Sequence, residues 1–346
     1  MQLIIITFSK RYKNMKNLTL ALAIIILVSC SQDNTQDSLT IFTSRQPQLI
    51  EPILERYSEK TGIEVTLLSG NAQQLMERID IEGKDSKADI FMTVDAGVLW
   101  QASERGILES VKSEILNTNI PSHLRDVDGE WFGLSKRART IVFSNDQFSK
   151  EDFSSYEDLS YPKWNGKLCL RTSKKVYNRS LIASMIDANG FEKTQKVVQG
   201  WVKNLATDVF SNDTNALKAV SSGQCGFTIV NTYYLARLLS DSAYDNLELF
   251  WANQNDRGVH VNISGAGLVK TSKNKLEAIK LLEYLSSEEA QGDYASANKE
   301  FPVLIGAKID ESIAEWGSFI EDTIGVEKLG KLQKEAVFLA QEASYD

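Results

Sequence analysis

The chain has 346 residues, 42% of them apolar and 24% charged, with only five prolines. That composition excludes fibrous and disordered classes and suits one large or two medium globular domains. The formal charge of −8 disfavours nucleic-acid binding, because an acidic surface is repelled by a phosphate backbone.

Residues 18–28 are the one strongly apolar stretch near the start, too short for a comfortable membrane span and preceded by Lys16. They read as the core of a signal peptide covering residues 1–29, with Met15 a better initiator than Met1. The core runs into Leu27-Val28-Ser29-Cys30, the pattern of a bacterial lipobox, so Cys30 is the expected lipid anchor. Polar residues 31–37 then form a tether. The expected location is exported, at the periplasmic face, with the membrane reached through the N-terminal lipid only. Removing residues 1–29 takes away Lys10, Arg11, Lys13 and Lys16 and no acidic group, leaving 34 basic against 46 acidic residues, a charge of −12.

Residues 39–42 read as a strand, 49–60 as a helix, 63–68 as a second strand, 72–82 as a helix ending at Gly83, and 88–94 as a third strand. This alternation implies a mostly parallel sheet covered on both faces. The rhythm returns with a strand at 167–171, helices at 178–189 and 191–205, and a buried strand at 227–230. Residues 140–144 and 259–264, rich in β-branched side chains, are placed as hinge strands between two lobes. Helices are expected at 275–285, 287–297, 309–322 and 326–343. The fold class is therefore α/β: a two-lobed periplasmic-binding-protein fold with hinge strands crossing between the lobes. Residues 38–138 and 261–311 are assigned to lobe 1, and 139–260 and 312–346 to lobe 2. Such proteins hold a ligand in the cleft and close by a hinge motion.

Besides Cys30 there are two cysteines, Cys169 and Cys225, and an even pair in an exported chain points to a disulfide. The two histidines, His123 and His260, are not spaced with them as zinc motifs require.

Several blocks carry a resemblance: Thr43-Ser44-Arg45-Gln46-Pro47, Ala88-Asp89-Ile90, the run 131–139, Val176-Tyr177-Asn178, Asn231-Thr232-Tyr233-Tyr234 and the run 258–265. They resemble the ferric-ion-binding proteins often called bacterial transferrins, especially the branch of cyanobacterial iron-deficiency-induced proteins. The likeness runs from about Leu39 to the end. It implies a solute-binding protein that delivers iron to an ABC permease, acts as a monomer and is no enzyme. It also implies Tyr177, Tyr233 and Tyr234 as metal ligands.

The chemistry supports that set, since Fe(III) is a hard cation and phenolate a hard anionic oxygen donor. A phenol titrates near pH 10, so a bound trivalent cation must favour its ionised form. Tyr233 and Tyr234 are expected on the first turn of a helix capped by Asn231 or Thr232, at the positive end of its dipole. Tyr177 occupies the matching place after the strand at 167–171.

Some family members place a histidine and a tyrosine after the first Ser-Arg, where this chain has Gln46 and Pro47. Three phenolates fill only three of the roughly six positions around an octahedral cation. A small bidentate anion, carbonate, is expected to complete the shell, held by Arg45 and Arg139 with Ser135 and Gln46 assisting. His260 reads as a hinge residue. Lys136 and Arg137 weigh evenly between a solvated face and the cleft. A protein of the same fold for an oxyanion such as phosphonate or sulfate would have no use for three tyrosines. A periplasmic enzyme lacks support, because the sequence has no Gly-x-Ser-x-Gly elbow, His-Glu-x-x-His or phosphate loop.

Overall fold

The structure, a computed structural model, describes residues 38–346. The expected leader, the anchor Cys30 and the tether lie outside the described residues. Among those described, no helix is long and apolar enough to cross a membrane.

Nine strands form one continuous sheet among the described residues: β1 (Ser38–Thr43), β2 (Glu64–Ser69), β3 (Ile90–Thr93), β4 (Leu108–Glu109), β5 (Phe132–Ser144), β6 (Leu168–Cys169), β7 (Phe227–Asn231), β8 (Leu247–Phe250) and β9 (Val261–Val269). The order is β2-β1-β3-β9-β5-β7-β6, with β4 beside β9 and β8 beside β5. β1 is parallel to β2 and β3, and β6 to β7, whereas β9 is antiparallel to β3 and β5. The opening β-α units arise from the expected patterns. The helix Glu51–Thr61 buries Ile53, Leu54 and Tyr57 and stops at Gly62, whose φ of 75° is left-handed. The helix Ala72–Glu82 is capped by the Asn71 side chain, which accepts from the amides of Gln73 and Gln74.

The fold is the two-lobed α/β arrangement, and β5 is its spine. Residues 132–138 pair with β9, and from Arg139 onward the neighbour is β7, with β8 joining on the other edge at Ile141. The expected hinge segment 140–144 is thus the far end of β5, which passes from one half of the sheet to the other, whereas 259–264 runs into β9, which pairs with β3, β4 and β5. His260, just before β9, is buried beside this exchange. Its backbone carbonyl accepts from the amide of Arg139 (2.9 Å), and its amide donates to the Tyr156 hydroxyl (3.1 Å).

Several elements differ from the sequence reading. The strand at 167–171 shrinks to two residues, because Arg171 pairs instead with Phe210. Residues 309–322 hold a single turn, Glu311–Ala314, followed by the left-handed Gly317 (φ 74°). The last helix is two, Val326–Lys331 and Gln333–Glu342. The first helix begins after a 3-10 turn at Pro47–Leu49.

Cys169 on β6 and Cys225, just before β7, form a disulfide with Cα atoms 5.8 Å apart, 56 residues apart in sequence. It ties together the two strands that lead to the tyrosine-bearing segments. Replacing both cysteines with alanine should lower unfolding free energy by about 2–4 kcal/mol, read from urea denaturation of oxidised wild type against the variant. Burial, reinforced by Arg137, Arg139 and Arg257, lowers the His260 imidazole to about 3. A base depressed in the folded state takes its proton first in the unfolded chain. Stability should therefore fall as pH drops from about 6.5 toward 3, by up to ~1.4 kcal/mol per unit. A His260→Gln variant should show a flatter denaturation-versus-pH profile over that range.

Candidate metal centre

A cavity of about 130 Å³ opens between the two halves of the sheet. From the first half come Ser44, Arg45 and Gln46 after β1, Val94 after β3, Ser264 on β9 and Glu300. From the second come Tyr177, Tyr233, Tyr234 and Arg237, and Arg137 reaches in from β5. The three expected tyrosines therefore meet in one space.

Tyr177 sits in the first turn of the helix Val176–Asn189 rather than ahead of it. Two guanidinium groups lie over its ring, Arg137 at 5.6 Å and Arg171 at 5.1 Å from the centroid. Tyr233 and Tyr234 follow β7 on the helix Thr232–Ala236, with ring centroids 4.5 Å apart. Because that helix has only five residues, its dipole is small, and the expected help from it is slight. Asn231 occupies the cap position, yet its side chain makes no cap; its Nδ2 donates to the Tyr233 hydroxyl at 3.0 Å. The Arg237 guanidinium lies 4.9 Å from the Tyr233 centroid, one helical turn on.

Burial, and then the proximity of Tyr177 and Tyr234, push the Tyr233 phenol well above its ordinary value. Burial also raises Tyr177, with Arg137 opposing. Tyr177 and Tyr233 thus hold their protons more tightly than a free phenol does. On the facing wall, Arg45 Nη2 donates to Glu300 Oε2 at 2.9 Å, and the Ser135 hydroxyl donates to the same oxygen at 2.5 Å. Burial works against the ionised Glu300, but Arg45, Ser135 and Arg137 together hold its carboxyl below the usual range. Ser44 Oγ, Arg45 Nε, Arg137 Nη1 and Ser264 Oγ are buried without a protein partner. Unpaired buried donors of this kind are costly unless a ligand meets them. The cavity therefore brings three phenol oxygens together on one side and unpaired hydrogen-bond donors on the other.

Residues 85–320 match the model of the bacterial extracellular solute-binding protein family. The chain belongs to that family. Among its relatives, this solute-binding protein is 41% identical to iron uptake protein A1 of Synechocystis sp. over 335 residues, which is 92% of this chain and 93% of that protein. Its fold matches that of a Trichodesmium protein solved in complex with iron and citrate, with a TM-score of 0.86, 42% identity, and coverage of 89% of this chain and all of that one. The open form of ferric iron-binding protein A from Mannheimia haemolytica matches with a TM-score of 0.83 and 36% identity, over 89% of this chain and 99% of that one.

Within this solute-binding protein, four residues had been expected around an anion. Arg45 and Gln46 line the cavity. Ser135 lies behind it, its hydroxyl committed to Glu300. Arg139 is the correction. A guanidinium carries five N–H donors, and all of them are taken: Nε by Asn178 Oδ1, Nη1 by Asp213 Oδ2 and Asn231 Oδ1, and Nη2 by Asp213 Oδ1 and the Ile229 carbonyl. None remains for an anion, and Arg139 does not line the cavity.

Arg137 is the arginine of β5 that reaches the cavity; its Nη2 donates to the Val94 carbonyl. The alternation of β5 was the available signal, since residues 135, 137 and 139 share a face while Lys136 points away to Glu321 (3.0 Å). Choosing among the three on that face required knowing where β5 changes partner. Arg237 could have been found by its helical spacing from Tyr233. Glu300 carried no local signal. His260 stays outside the cavity, and His123 pairs with Glu321 at 3.1 Å.

Asp213 is fully buried against Arg139 (3.0 Å), with Arg171 at 3.5 Å. Asp213→Ala should cost roughly 3–5 kcal/mol, measured by chemical denaturation, because it strands a buried guanidinium.

Proposed function

We propose that this protein carries Fe(III) in iron uptake, binding it between the lobes and delivering it to an ABC permease. Tyr177, Tyr233 and Tyr234 supply three phenolate ligands whose charges offset the metal's. The observation that carries this reading is the convergence of the three phenols in one small cavity whose other polar lining is arginine, serine, a glutamine and a paired glutamate. The names of the relatives point the same way: one is an iron uptake protein and another was solved with iron and citrate. The chain works as a monomer from the periplasmic face, tethered through lipid on Cys30.

A small anion completes the coordination shell. Arg45 and Arg137 offer Nε and Nη1, each buried without a protein partner, and Ser44 and Ser264 offer hydroxyls. Gln46 adds its amide at the rim. Carbonate fits by size, since two of its three oxygens can reach the metal while its oxygens also meet forked donors. The phenols bind metal, the arginines bind the anion, and closure of the cleft brings the two together.

Purified protein titrated with ferric citrate should develop a visible phenolate-to-Fe(III) charge-transfer band. Changing Tyr177, Tyr233 or Tyr234 singly to phenylalanine should each weaken Fe(III) binding by at least about tenfold, ~1.4 kcal/mol, and alter the band. Retention of wild-type affinity and colour by all three variants would refute the tyrosine site. Iron loading in degassed, carbonate-free buffer should improve when bicarbonate is restored, and Arg137→Ala should abolish that gain. A protein that binds phosphonate or sulfate tightly and remains colourless with iron would instead be an oxyanion carrier.

A further inference from the structure

Arg139 was set aside as an anion donor because its five N–H groups are all engaged, and the identity of their acceptors gives it a different role. Nε donates to Asn178 Oδ1 at 2.9 Å, and Asn178 is the residue next to Tyr177. Nη1 donates to Asn231 Oδ1 at 3.1 Å, and Asn231 stands two residues before Tyr233. One buried, rigid, planar group therefore grips the starts of both tyrosine-bearing helices. Asp213 holds it from behind through both carboxylate oxygens, at 3.0 and 3.3 Å.

A guanidinium can only donate, so it determines which end of each amide it faces. With Oδ1 of Asn231 turned to Arg139, Nδ2 must face the other way, where it donates to the Tyr233 hydroxyl at 3.0 Å. With Oδ1 of Asn178 held likewise, its Nδ2 donates to the Arg171 carbonyl (2.8 Å), the Thr172 carbonyl (3.1 Å) and the Tyr345 hydroxyl (2.8 Å), pinning the loop that leads into Tyr177. The Tyr233 oxygen thus accepts from a neutral donor whose direction is set two steps back, by Asp213. An amide turned the other way would present an oxygen, and a phenol would have to keep its proton to bond with it.

We infer that Arg139 is a positioning residue of the iron site: through Asn178 and Asn231 it sets the spacing of Tyr177 and Tyr233 and orients the Tyr233 oxygen to receive a metal. The inference rests on the iron reading above. Positioning shells of this sort tune ligands they touch, with losses of about 10–100-fold in metal affinity when they are removed.

The test uses two variants of the full chain. Arg139→Lys keeps a cation against Asp213, but a single ammonium head cannot span both amides. Asn231→Ala removes the donor to Tyr233 and leaves the Arg139–Asp213 pair in place. For each, the melting temperature of the iron-free protein, the Fe(III) affinity by citrate competition and the charge-transfer maximum at saturating iron are measured. Both variants should bind iron at least about tenfold more weakly and shift the charge-transfer maximum. The losses in the double variant should fall short of their sum, because both act on one oxygen. A lowered melting temperature with wild-type affinity and an unshifted band in Asn231→Ala would overturn the inference, whether or not Arg139→Lys folds. A wild-type protein that shows no charge-transfer band would overturn the iron reading, and this inference with it.

Discussion

The buried pair of Arg139 and Asp213 is the contact on which the second half of the molecule depends. Burying a guanidinium and a carboxylate costs several kcal/mol each unless their hydrogen bonds are complete, and here the guanidinium is saturated. Its partners come from the helix of Tyr177, from the helix Asp213–Ser221, and from β7. Three segments far apart in sequence are thereby brought to one point, just beneath the tyrosines. The Cys169–Cys225 disulfide binds the neighbouring strands covalently, so the floor of the site is held twice over.

Above that floor lie the three phenols, facing the wall of Arg45 and Glu300. Burial, and then the neighbouring Tyr177 and Tyr234, hold the Tyr233 phenol well above its ordinary value. The facing wall is prepared differently: Glu300 already offsets Arg45, and Ser135 steadies the carboxylate. Arg45 keeps its Nε, and Arg137 keeps its Nη1, without a protein acceptor. The two walls therefore differ in kind: one presents phenol oxygens, the other unpaired donors beside a paired carboxylate.

Strand β5 joins these walls. Its alternation puts Ser135, Arg137 and Arg139 on one face, at successive depths of about 7 Å set by the strand rise. The first steadies Glu300, the second faces the cavity and the third anchors the floor. Because the strand crosses from β9 to β7 at Ala138 and Arg139, a bending motion there would move the wall of Arg45 and Glu300 against the tyrosines while leaving each internally intact.

The local pattern of the sequence was enough to determine the α/β rhythm, the junctions that carry the tyrosines and the pairing of two cysteines, because periodicity, turn residues and cysteine number act within short windows or by simple counting. The blocks around Tyr177, Tyr233 and Tyr234 marked the candidate ligands for the same reason: each is contiguous. What sequence could not decide was which arginine of β5 lines the cavity. Arg137 and Arg139 are alike in type, face and neighbourhood, and they differ only in what lies across from them. Asp213, Asn178 and Asn231 claim one of them, whereas the other gives Nη2 to the Val94 carbonyl and keeps Nη1 without a protein acceptor. Glu300 was invisible for a similar reason, since it joins Arg45 across 255 residues. Burial and pairing are properties of the assembled molecule, and charge roles that depend on them are settled only when distant segments close around the same point.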